Sequence, residues 1–272
     1  MGHRTLNGLR AGCGSRAAFW LLLPVTAVQG LWLRQRATRL PGAPGERQGV
    51  SGATAPGDDL HLLAIGDSII DGVGTGHVEA SLPVQFAAAL AERCGRRVQW
   101  RVEGASGHAA EDVVERLGTL EPGVPADVVL VSVGVNDVTS LSSTRRWRRN
   151  LQRLLGAIRG RWPGAVLLFA GLPPMANFPL PPQPLKFSLG LRAATLDHIA
   201  RNLVEQDPRA LHVPTRIDPE RHDFCADGFH PSADSCTLWA QELAAAIAQK
   251  LAADADGGRN TMDMSVLSRR TL

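Results

Sequence analysis

Five short apolar runs, rich in β-branched residues, constrain the fold of this chain more than any other feature. Segments with helical periodicity separate them, and a last helical segment covers residues 232–251. Near-continuous apolar runs are typical of strands with both faces buried, and regular alternation with helices requires crossover connections. The sequence therefore predicts an α/β fold, a three-layer α/β/α sandwich around a five-stranded parallel sheet. The predicted strands are residues 60–65, 98–102, 128–133, 166–169 and 211–213.

The first 40 residues differ in composition from the rest of the chain. An apolar run over residues 17–33 lies between arginines, of which Arg16 and Arg34 are the nearest. A run of this length spans a bilayer only marginally, and a secretory signal is the other interpretation. We predict that residues 1–40 form a membrane anchor or signal segment, that residues 17–33 associate with a membrane, and that the protein is anchored or exported. A cytoplasmic protein that buries this run is the alternative.

Three further regions follow. Residues 41–59 are rich in Gly, Pro, Ala and Ser and are predicted to be a linker, whereas residues 60–251 are predicted to form one folded domain. Residues 252–272 contain few apolar residues and are predicted to be a disordered tail.

The formal net charge is +3, but seven arginines and one glutamate precede residue 50, so the remainder is slightly acidic. We expect no nucleic acid among its partners, because nucleic-acid binding needs a basic surface.

The four cysteines, Cys13, Cys94, Cys225 and Cys236, do not show the paired spacing of a zinc site. We therefore expect no metal ion. Cys225 and Cys236 lie on either side of His230 and would be able to form a disulfide bond in an exported protein, whereas buried free thiols are the other interpretation. The sequence leaves both open, and it leaves the oligomeric state open as well.

Residues with catalytic chemistry follow the first predicted strand and precede the last predicted helix. Ser68, in a Gly-Asp-Ser motif, lies where the chain leaves the sheet. A serine hydroxyl is a weak nucleophile and needs a base within hydrogen-bond reach, which a third group orients. An Asp-Gly-Phe-His motif at residues 227–230 provides both, because an aspartate and a histidine three residues apart can meet across a turn. The predicted triad is Ser68 as nucleophile, His230 as base and Asp227 as the acid that orients it.

An acyl transfer also needs donors for the oxyanion of its tetrahedral intermediate. Asn136 follows the third predicted strand in a Gly-Val-Asn-Asp motif, and its side-chain amide is a suitable donor. Gly107 follows the second strand, and a residue without a side chain can bring its backbone N–H close to a substrate. We predict an oxyanion hole formed by Asn136 and by the backbone N–H groups of Gly107 and Ser68.

These four motifs resemble, in order, the motif blocks of the SGNH/GDSL hydrolase superfamily over residues 60–251. The resemblance implies a flavodoxin-like sandwich with strand order 2-1-3-4-5 and an esterase or lipase that needs no metal ion or other cofactor. It gives Ser68, Gly107, Asn136 and His230 the roles stated above, with Asp227 as the triad acid. The chain departs from the superfamily before Gly107, where many members have an asparagine and this chain has Glu103-Gly104.

A proline-rich loop over residues 172–190 follows the fourth predicted strand and carries Met175, Phe178 and Leu180. A long apolar loop beside a site is often a lid or a substrate wall, so we predict that these three side chains bind a fatty acyl group. Packing of the loop against the sheet edge is the alternative.

A glycine-rich stretch at residues 72–76 looks like part of a dinucleotide-binding loop. Its third glycine comes one residue too early, so its spacing does not fit the dinucleotide-binding motif.

The sequence thus predicts a serine esterase that hydrolyses small-molecule carboxylic esters, acyl or lipid-like, through an acyl-enzyme. A deacetylase of acetylated carbohydrates and a lysophospholipase or thioesterase are alternatives, since each would use the same site. A membrane-tethered binding domain without catalysis is the alternative of a different class.

Overall fold

The computed structural model describes residues 24–32, 40–215 and 223–268, and it describes residues 255–268 for the backbone alone. The predicted anchor and tail lie partly outside the described residues, and Cys13 lies wholly outside them. Six strands in the described part of the chain form one sheet. They are β1 (Gln48–Ser51), β2 (Leu60–Gly66), β3 (Val98–Gly104), β4 (Val128–Ser132), β5 (Val166–Ala170) and β6 (Ala210–Val213).

The order of strands in the sheet is β1-β3-β2-β4-β5-β6. The strands β2 to β6 are parallel to one another, and they are the five strands that the sequence predicts. Counted without β1, their order is the 2-1-3-4-5 that the superfamily resemblance implies. The predicted fold class is therefore confirmed, although the antiparallel strand β1 makes the sheet six-stranded and mixed, where the sequence predicts five parallel strands.

Helices lie on both faces of the sheet, which gives the three layers. The α-helices of the described residues are α1 (24–32), α2 (Leu82–Cys94), α3 (Ala110–Thr119), α4 (Val135–Thr139), α5 (Thr144–Arg161), α6 (Leu185–Val204) and α7 (Ala233–Ser268). Side chains of α3, α5 and α6 share a buried core with one face of the sheet. Side chains of α2 and α7 share a second core with the other face.

Strand β2 shows why its apolar run is uninterrupted. Successive side chains of a strand point to opposite faces of the sheet. Leu63 and Ile65 accordingly pack into the core with α3, α5 and α6, whereas Leu62 and Ala64 pack into the core with α2 and α7. All four are fully or almost fully buried, so each residue of the run fills one core or the other.

Residues 48–51 correct the predicted linker, because they form β1 and pair antiparallel with β3. Without β1, the outer backbone groups of β3 would lie at a sheet edge and lack partners. Gly49 permits this pairing, since a side chain there would collide with the ring of Trp100. Arg47 also binds the carboxylate of Asp71 at 2.7 Å. This part of the predicted linker therefore belongs to the folded domain.

The other end of the chain also differs from the prediction. The sequence predicts a helix that ends near Leu251 and a disordered tail, whereas α7 continues to Ser268. Residues 252–268 contain no proline, so every backbone N–H in this stretch is able to continue the helical hydrogen-bond pattern. The prediction rested on the low apolar content of these residues. Low apolar content indicates that a segment is not buried, but it does not decide whether the segment forms a helix.

Helix α1 is the described part of the predicted membrane segment, and residues 17–23 and 33 lie outside the described residues. It contacts the loop that precedes α6 through Gln29. The side-chain amide of Gln29 donates to the carbonyl of Gln183 at 2.8 Å and accepts from the N–H of Leu185 at 3.1 Å. Among the described residues, no helix combines the length and the hydropathy that crossing a bilayer would require.

Candidate active site

The turn that carries Ser68 is held by close backbone packing at the carboxyl end of β2. A side chain at Gly66 would collide with the carbonyl oxygen of Ser132 on β4, so glycine is required here. Asp67 donates its backbone N–H to the same oxygen at 3.0 Å. The chain then turns, and Val73 donates its N–H to the carbonyl of Ser68 at 3.0 Å. Ser68 is thereby fixed at the edge of the sheet where the parallel strands end.

Three side chains form a continuous hydrogen-bonded chain at this edge. The Oγ of Ser68 lies 3.1 Å from Nε2 of His230, although 162 residues separate them in sequence. The Nδ1 of His230 lies 2.6 Å from Oδ2 of Asp227. In the neutral imidazole tautomer that donates from Nδ1, Nε2 is an acceptor and can take the proton of the serine hydroxyl. The structure thus brings together the nucleophile, the base and the acid that the sequence predicts.

The carboxylate of Asp227 is fixed by donors on its second oxygen. Its Oδ1 accepts the backbone N–H groups of Phe229 at 2.8 Å and His230 at 2.9 Å, and the thiol of Cys225 at 3.0 Å. Burial alone raises the pKa of Asp227, but the hydrogen bonds from His230, Cys225 and the backbone outweigh burial and hold the pKa well below its usual value. The group is therefore an ionised acceptor at neutral pH.

The loop of Asp227 and His230 is itself a compact turn. Cys225 donates its backbone N–H to the carbonyl of His230 at 2.9 Å, and Gly228 donates to the carbonyl of Cys225 at 3.0 Å. Gly228 has a φ of +63°, which glycine adopts at little cost. The short spacing between Asp227 and His230 thus places both groups with local hydrogen bonds alone.

The glycine-rich stretch after Ser68 packs against this turn. Gly74 has a φ of +92°, and a side chain there would lie 2.8 Å from the sulfur of Cys225. The stretch therefore joins the nucleophile turn to the base loop.

Glu103, at the end of β3, forms ion pairs with Arg101 and Arg116, each at 2.7 Å.

Two of the three predicted oxyanion donors, Gly107 and Asn136, lie on separate loops that meet. Ala105 donates its N–H to the carbonyl of Gly66 at 3.2 Å, which ties the loop of Gly107 to the nucleophile strand. Gly107 has a φ of +86° and open space beside its Cα. The side-chain amide of Asn136 donates to the carbonyl of His108 at 2.9 Å. An amide nitrogen carries two hydrogens, so the second hydrogen of Asn136 is available to a substrate oxygen.

Two buried carboxyl groups lie beneath these loops. Burial raises the pKa of Asp67 to about 7, and its Oδ1 accepts the N–H of Ile69 at 3.1 Å. Burial also raises the pKa of Asp137, whose Oδ2 accepts the N–H of Ala110 at 2.9 Å. Both side chains hold backbone turns, one below Ser68 and one at the start of α3.

A small apolar cavity adjoins the triad. Its walls are Ser68, Ile69, Val135, Pro173, Phe178, Phe229, His230, Pro231, Ser235 and Trp239. About 20 Å³ of it is open to the centre of a water molecule, which is room for about one water molecule or one methyl group. The cavity is therefore narrow at the point where a substrate would meet Ser68.

The three predicted substrate-binding residues have different positions. Phe178 lines the cavity and makes edge-on ring contacts with Phe224 and Phe229. Met175 is fully buried in the core with α3, α5 and α6 and is not part of the cavity wall. Leu180 lies outside the wall as well and donates its backbone N–H to the carbonyl of Gly228 at 3.2 Å.

The sequence reasoning missed Trp239, the largest side chain of the cavity wall. It lies on α7, two turns after the base loop, and is 6% exposed. Ser235 and Trp239 are four residues apart and therefore lie on the same face of a helix. This spacing would have indicated that Trp239 is close to the site. Val135, Phe229 and Pro231 were also missed, and each is adjacent in sequence to a predicted site residue.

Comparison with known proteins places the chain in a family. The model of the GDSL-like lipase/acylhydrolase family matches residues 64–235, which include all five residues of the predicted triad and oxyanion hole. The chain belongs to this family. The resemblance to the SGNH/GDSL superfamily that the four motifs indicate is thereby confirmed.

A curated relative in the GDSL-like family supports this placement. The GDSL-like esterase Rv1075c of Mycobacterium tuberculosis (strain ATCC 25618 / H37Rv) is 30% identical to the chain over 201 residues. The alignment covers 71% of this chain and 63% of that protein. The chain thus aligns with less than two thirds of the relative's length.

Solved structures of similar fold include a lipase and a carbohydrate esterase. The lipase Lip_vut3 from a goat rumen metagenome has a TM-score of 0.56 and 21% identity, and the match covers 69% of this chain and 97% of the lipase. The family 3 carbohydrate esterase of Clostridium thermocellum has a TM-score of 0.55 and 18% identity, with coverage of 71% and 99%. These likenesses show the fold.

The three cysteines that lie in the described residues of this GDSL-like protein are not bridged. Cys94, Cys225 and Cys236 are free thiols. Burial, together with the hydrogen bond to Asp227, raises the pKa of Cys225 to about 11, so the group remains a thiol at neutral pH. No cluster of three or more histidine, cysteine or acidic side chains suited to a metal ion occurs among the described residues.

Proposed function

We propose that the chain is a serine ester hydrolase that cleaves carboxylic esters through an acyl-enzyme on Ser68. The observation that carries the proposal is the unbroken chain from the Oγ of Ser68 to Nε2 of His230 and from Nδ1 of His230 to Asp227. Membership of the GDSL-like lipase/acylhydrolase family supports the reaction class.

The geometry supports a two-step reaction. Nε2 of His230 takes the hydroxyl proton while Oγ of Ser68 attacks the ester carbonyl carbon, and the carbonyl oxygen becomes an oxyanion. Asn136 and the backbone N–H groups of Gly107 and Ser68 stabilise this charge. The intermediate collapses, and His230 gives its proton to the departing alkoxide. A water molecule, deprotonated by His230, then attacks the carbonyl carbon of the acyl-enzyme. The second tetrahedral intermediate collapses with cleavage of the bond to Oγ, His230 returns its proton to Ser68, and the acid is released.

Asp227 acts through His230 and not on the substrate. Its ionised carboxylate holds the imidazole in one tautomer and stabilises the imidazolium that forms in each step. The three donors on Oδ1 keep the carboxylate in place while its Oδ2 remains directed at Nδ1 of His230. The base is thus oriented before a substrate arrives.

The cavity beside Ser68 supports a short acyl group, such as acetyl, over the fatty chain that the apolar loop suggested. The part of it that a water molecule can enter is about 20 Å³, which holds about one water molecule, so its narrow end suits a group of methyl size. Hydrolysis of p-nitrophenyl acetate, butyrate, octanoate and dodecanoate measures this preference. We expect kcat/KM to be highest for acetate and to fall roughly tenfold or more by octanoate, since the narrow end of the cavity does not bury the surplus methylenes. A maximum at octanoate or dodecanoate would instead identify a fatty-acyl esterase.

Loss of the nucleophile tests the proposal itself. Ser68→Ala should lower kcat on p-nitrophenyl acetate by several orders of magnitude, roughly 10⁴-fold or more, as removal of a triad nucleophile does. A fluorophosphonate probe should label the wild-type protein and not the variant. Ser51→Ala, at the end of β1, is the control and should keep wild-type activity and labelling. A wild-type protein that is folded yet neither hydrolyses esters nor takes up the probe would identify a binding domain without catalysis.

A further inference from the structure

A second cavity, which we call the polar cavity, lies between the start of α3 and the first turns of α5. About 360 Å³ of it is open to the centre of a water molecule, which is within the range of about 300–1,000 Å³ that small-molecule sites occupy. Among the described residues, none lines both this cavity and the one beside Ser68. Its wall includes the polar and charged side chains of Glu111, Asp112, Asp137, Ser140, Arg146 and Asn150.

Asn150, on α5, brings a buried amide group to the wall of the polar cavity. The residue is 1% exposed, and within the described part of the chain neither its side-chain oxygen nor its side-chain nitrogen has a hydrogen-bond partner. Buried amides are ordinarily paired, because an unpaired one loses its hydration without compensation. An unpaired amide in the wall of a cavity therefore indicates a ligand that pairs with it.

The charged side chains of the wall already have partners within the protein. Arg146 forms an ion pair with Glu111. Asp112 and Asp137 accept backbone N–H groups at the start of α3, at 2.8 and 2.9 Å. An anion in the polar cavity would be repelled by these two carboxylates. The wall thus favours a ligand without negative charge.

The two sides of the Asn150 amide restrict the ligand further. The oxygen of an amide accepts hydrogen bonds and its NH₂ group donates them. An anion offers acceptors only and would leave the oxygen unpaired, whereas an ammonium group offers donors only and would leave the NH₂ group unpaired. A hydroxyl group both donates and accepts. Two neighbouring hydroxyls on an uncharged ligand would therefore pair with both sides of the amide.

The turn over residues 140–142, which borders the polar cavity, is fixed by contacts with α4 and α6. Arg192, on α6, donates to the carbonyl of Val138 at 3.1 Å and to the carbonyl of Ser142. Ser142 donates its own backbone N–H to the carbonyl of Asp137 at 3.0 Å. A wall that is ordered in advance loses little conformational entropy when a ligand binds.

We propose that the polar cavity binds an uncharged polyol of monosaccharide size, with the amide of Asn150 pairing with two of its hydroxyl groups. Carboxylate oxygens of Asp112 and Asp137 accept further hydroxyls, because each oxygen has two lone pairs. The proposal concerns binding at a second site and is independent of the esterase reaction.

Binding of neutral sugars to the full-length chain tests the proposal. Calorimetry and saturation-transfer NMR with D-glucose, D-mannose and D-xylose measure it, with inorganic phosphate and ethanolamine as charged probes. We expect at least one of the sugars to bind with a Kd on the order of 1 mM, and neither charged probe to bind. Ser68→Ala should bind that sugar as the wild type does, which separates this site from the catalytic one.

Two variants of the wall and one control locate the binding. Asn150→Leu should weaken sugar binding roughly tenfold or more and, without sugar, raise the melting temperature, because it removes an unpaired buried amide. Ser140→Leu, at an exposed position of the wall, should weaken binding about threefold or more. It tests the proposal by itself if the Asn150 variant does not fold. Gln241→Leu, exposed on α7, is the matched control and should bind like the wild type.

The proposal is wrong if none of the three sugars binds the wild type, or if neither wall variant weakens the binding. Binding of phosphate or ethanolamine in place of the sugars, weakened in the wall variants, would assign the polar cavity to a charged ligand and would also contradict it. A folded Asn150→Leu protein that melts at a lower temperature and binds sugar like the wild type would show that the amide is structural.

Discussion

The two halves of the candidate active site are ordered in different ways. The triad half has its acid and base on one turn, where Cys225, Phe229 and His230 all donate to Asp227. The oxyanion half is assembled from two loops that are distant in sequence, and its order depends on the contact between Asn136 and the carbonyl of His108. Local backbone geometry thus orients the base, whereas a long-range contact positions the oxyanion donor.

Removal of the base should have the largest effect. His230→Ala should lower kcat on a soluble ester by roughly 10⁴- to 10⁶-fold with KM little changed, because the proton of Ser68 then has no acceptor. His198→Ala, an exposed histidine on α6, is the control and should remain active. Retention of more than a tenth of the activity by the His230 variant would mean that the triad half is not the catalytic half.

Removal of the long-range contact should have the next largest effect. Asn136→Ala should lower kcat by roughly 10²- to 10³-fold, the usual result of losing one oxyanion donor. Asn136→Asp, which has the same shape and no amide hydrogen, should be impaired at least as much. If the aspartate variant were nearly as active as the wild type, Asn136 would serve only to hold the loop of His108.

The triad and the loop of residues 172–190 differ in how far the sequence could reveal them. The acid and the base share one short motif, and Ser68 follows a strongly apolar strand, so spacing and position were sufficient. For the loop of residues 172–190, spacing could not tell which side faces the cavity. Of its three proposed substrate residues only Phe178 lines the cavity, because Met175 turns into the core and Leu180 packs beside Gly228.

Elements that depend on distant partners were the ones that the sequence could not predict. β1 has only four residues, and it forms because β3 offers an unpaired edge. The position of α1 depends on the contacts of Gln29 with Gln183 and Leu185, which are 154 and 156 residues away in sequence. By contrast, β2, β4 and β5 are apolar runs, and their burial on two faces follows from their own composition.

A smaller effect should follow from changing the thiol donor of the triad half. Cys225→Ala should lower kcat about three- to tenfold, because a carboxylate with one donor fewer is held less firmly in the position that orients His230. Cys225→Ser keeps a donor and should restore kcat to within about twofold. Equal impairment of the two variants would show that the sulfur only fills space beside Gly74.

The smallest effect concerns stability and the carboxyl group beneath Ser68. With a pKa of about 7 in the folded protein and about 3.9 when unfolded, Asp67 binds more protons in the folded state between these values. Its contribution to the free energy of unfolding therefore falls as the pH rises from about 4 to 7. Asp67→Asn should raise the melting temperature relative to the wild type by roughly 5–10 °C more at pH 8 than at pH 5. An equal difference at both pH values would mean that Asp67 ionises without cost.

The pairing of β1 with β3 also determines where the chain can be shortened. A protein that began at Leu60 would lose β1, the contact of Arg47 with Asp71, and the hydrogen bond from Ala43 to the Asp71 carbonyl. The outer edge of β3 would then present a row of open donors and acceptors, which is a template for another chain. Such a truncated protein is expected to associate edge to edge and precipitate, so a shortened version for crystallisation should retain the segment from about residue 40 onward.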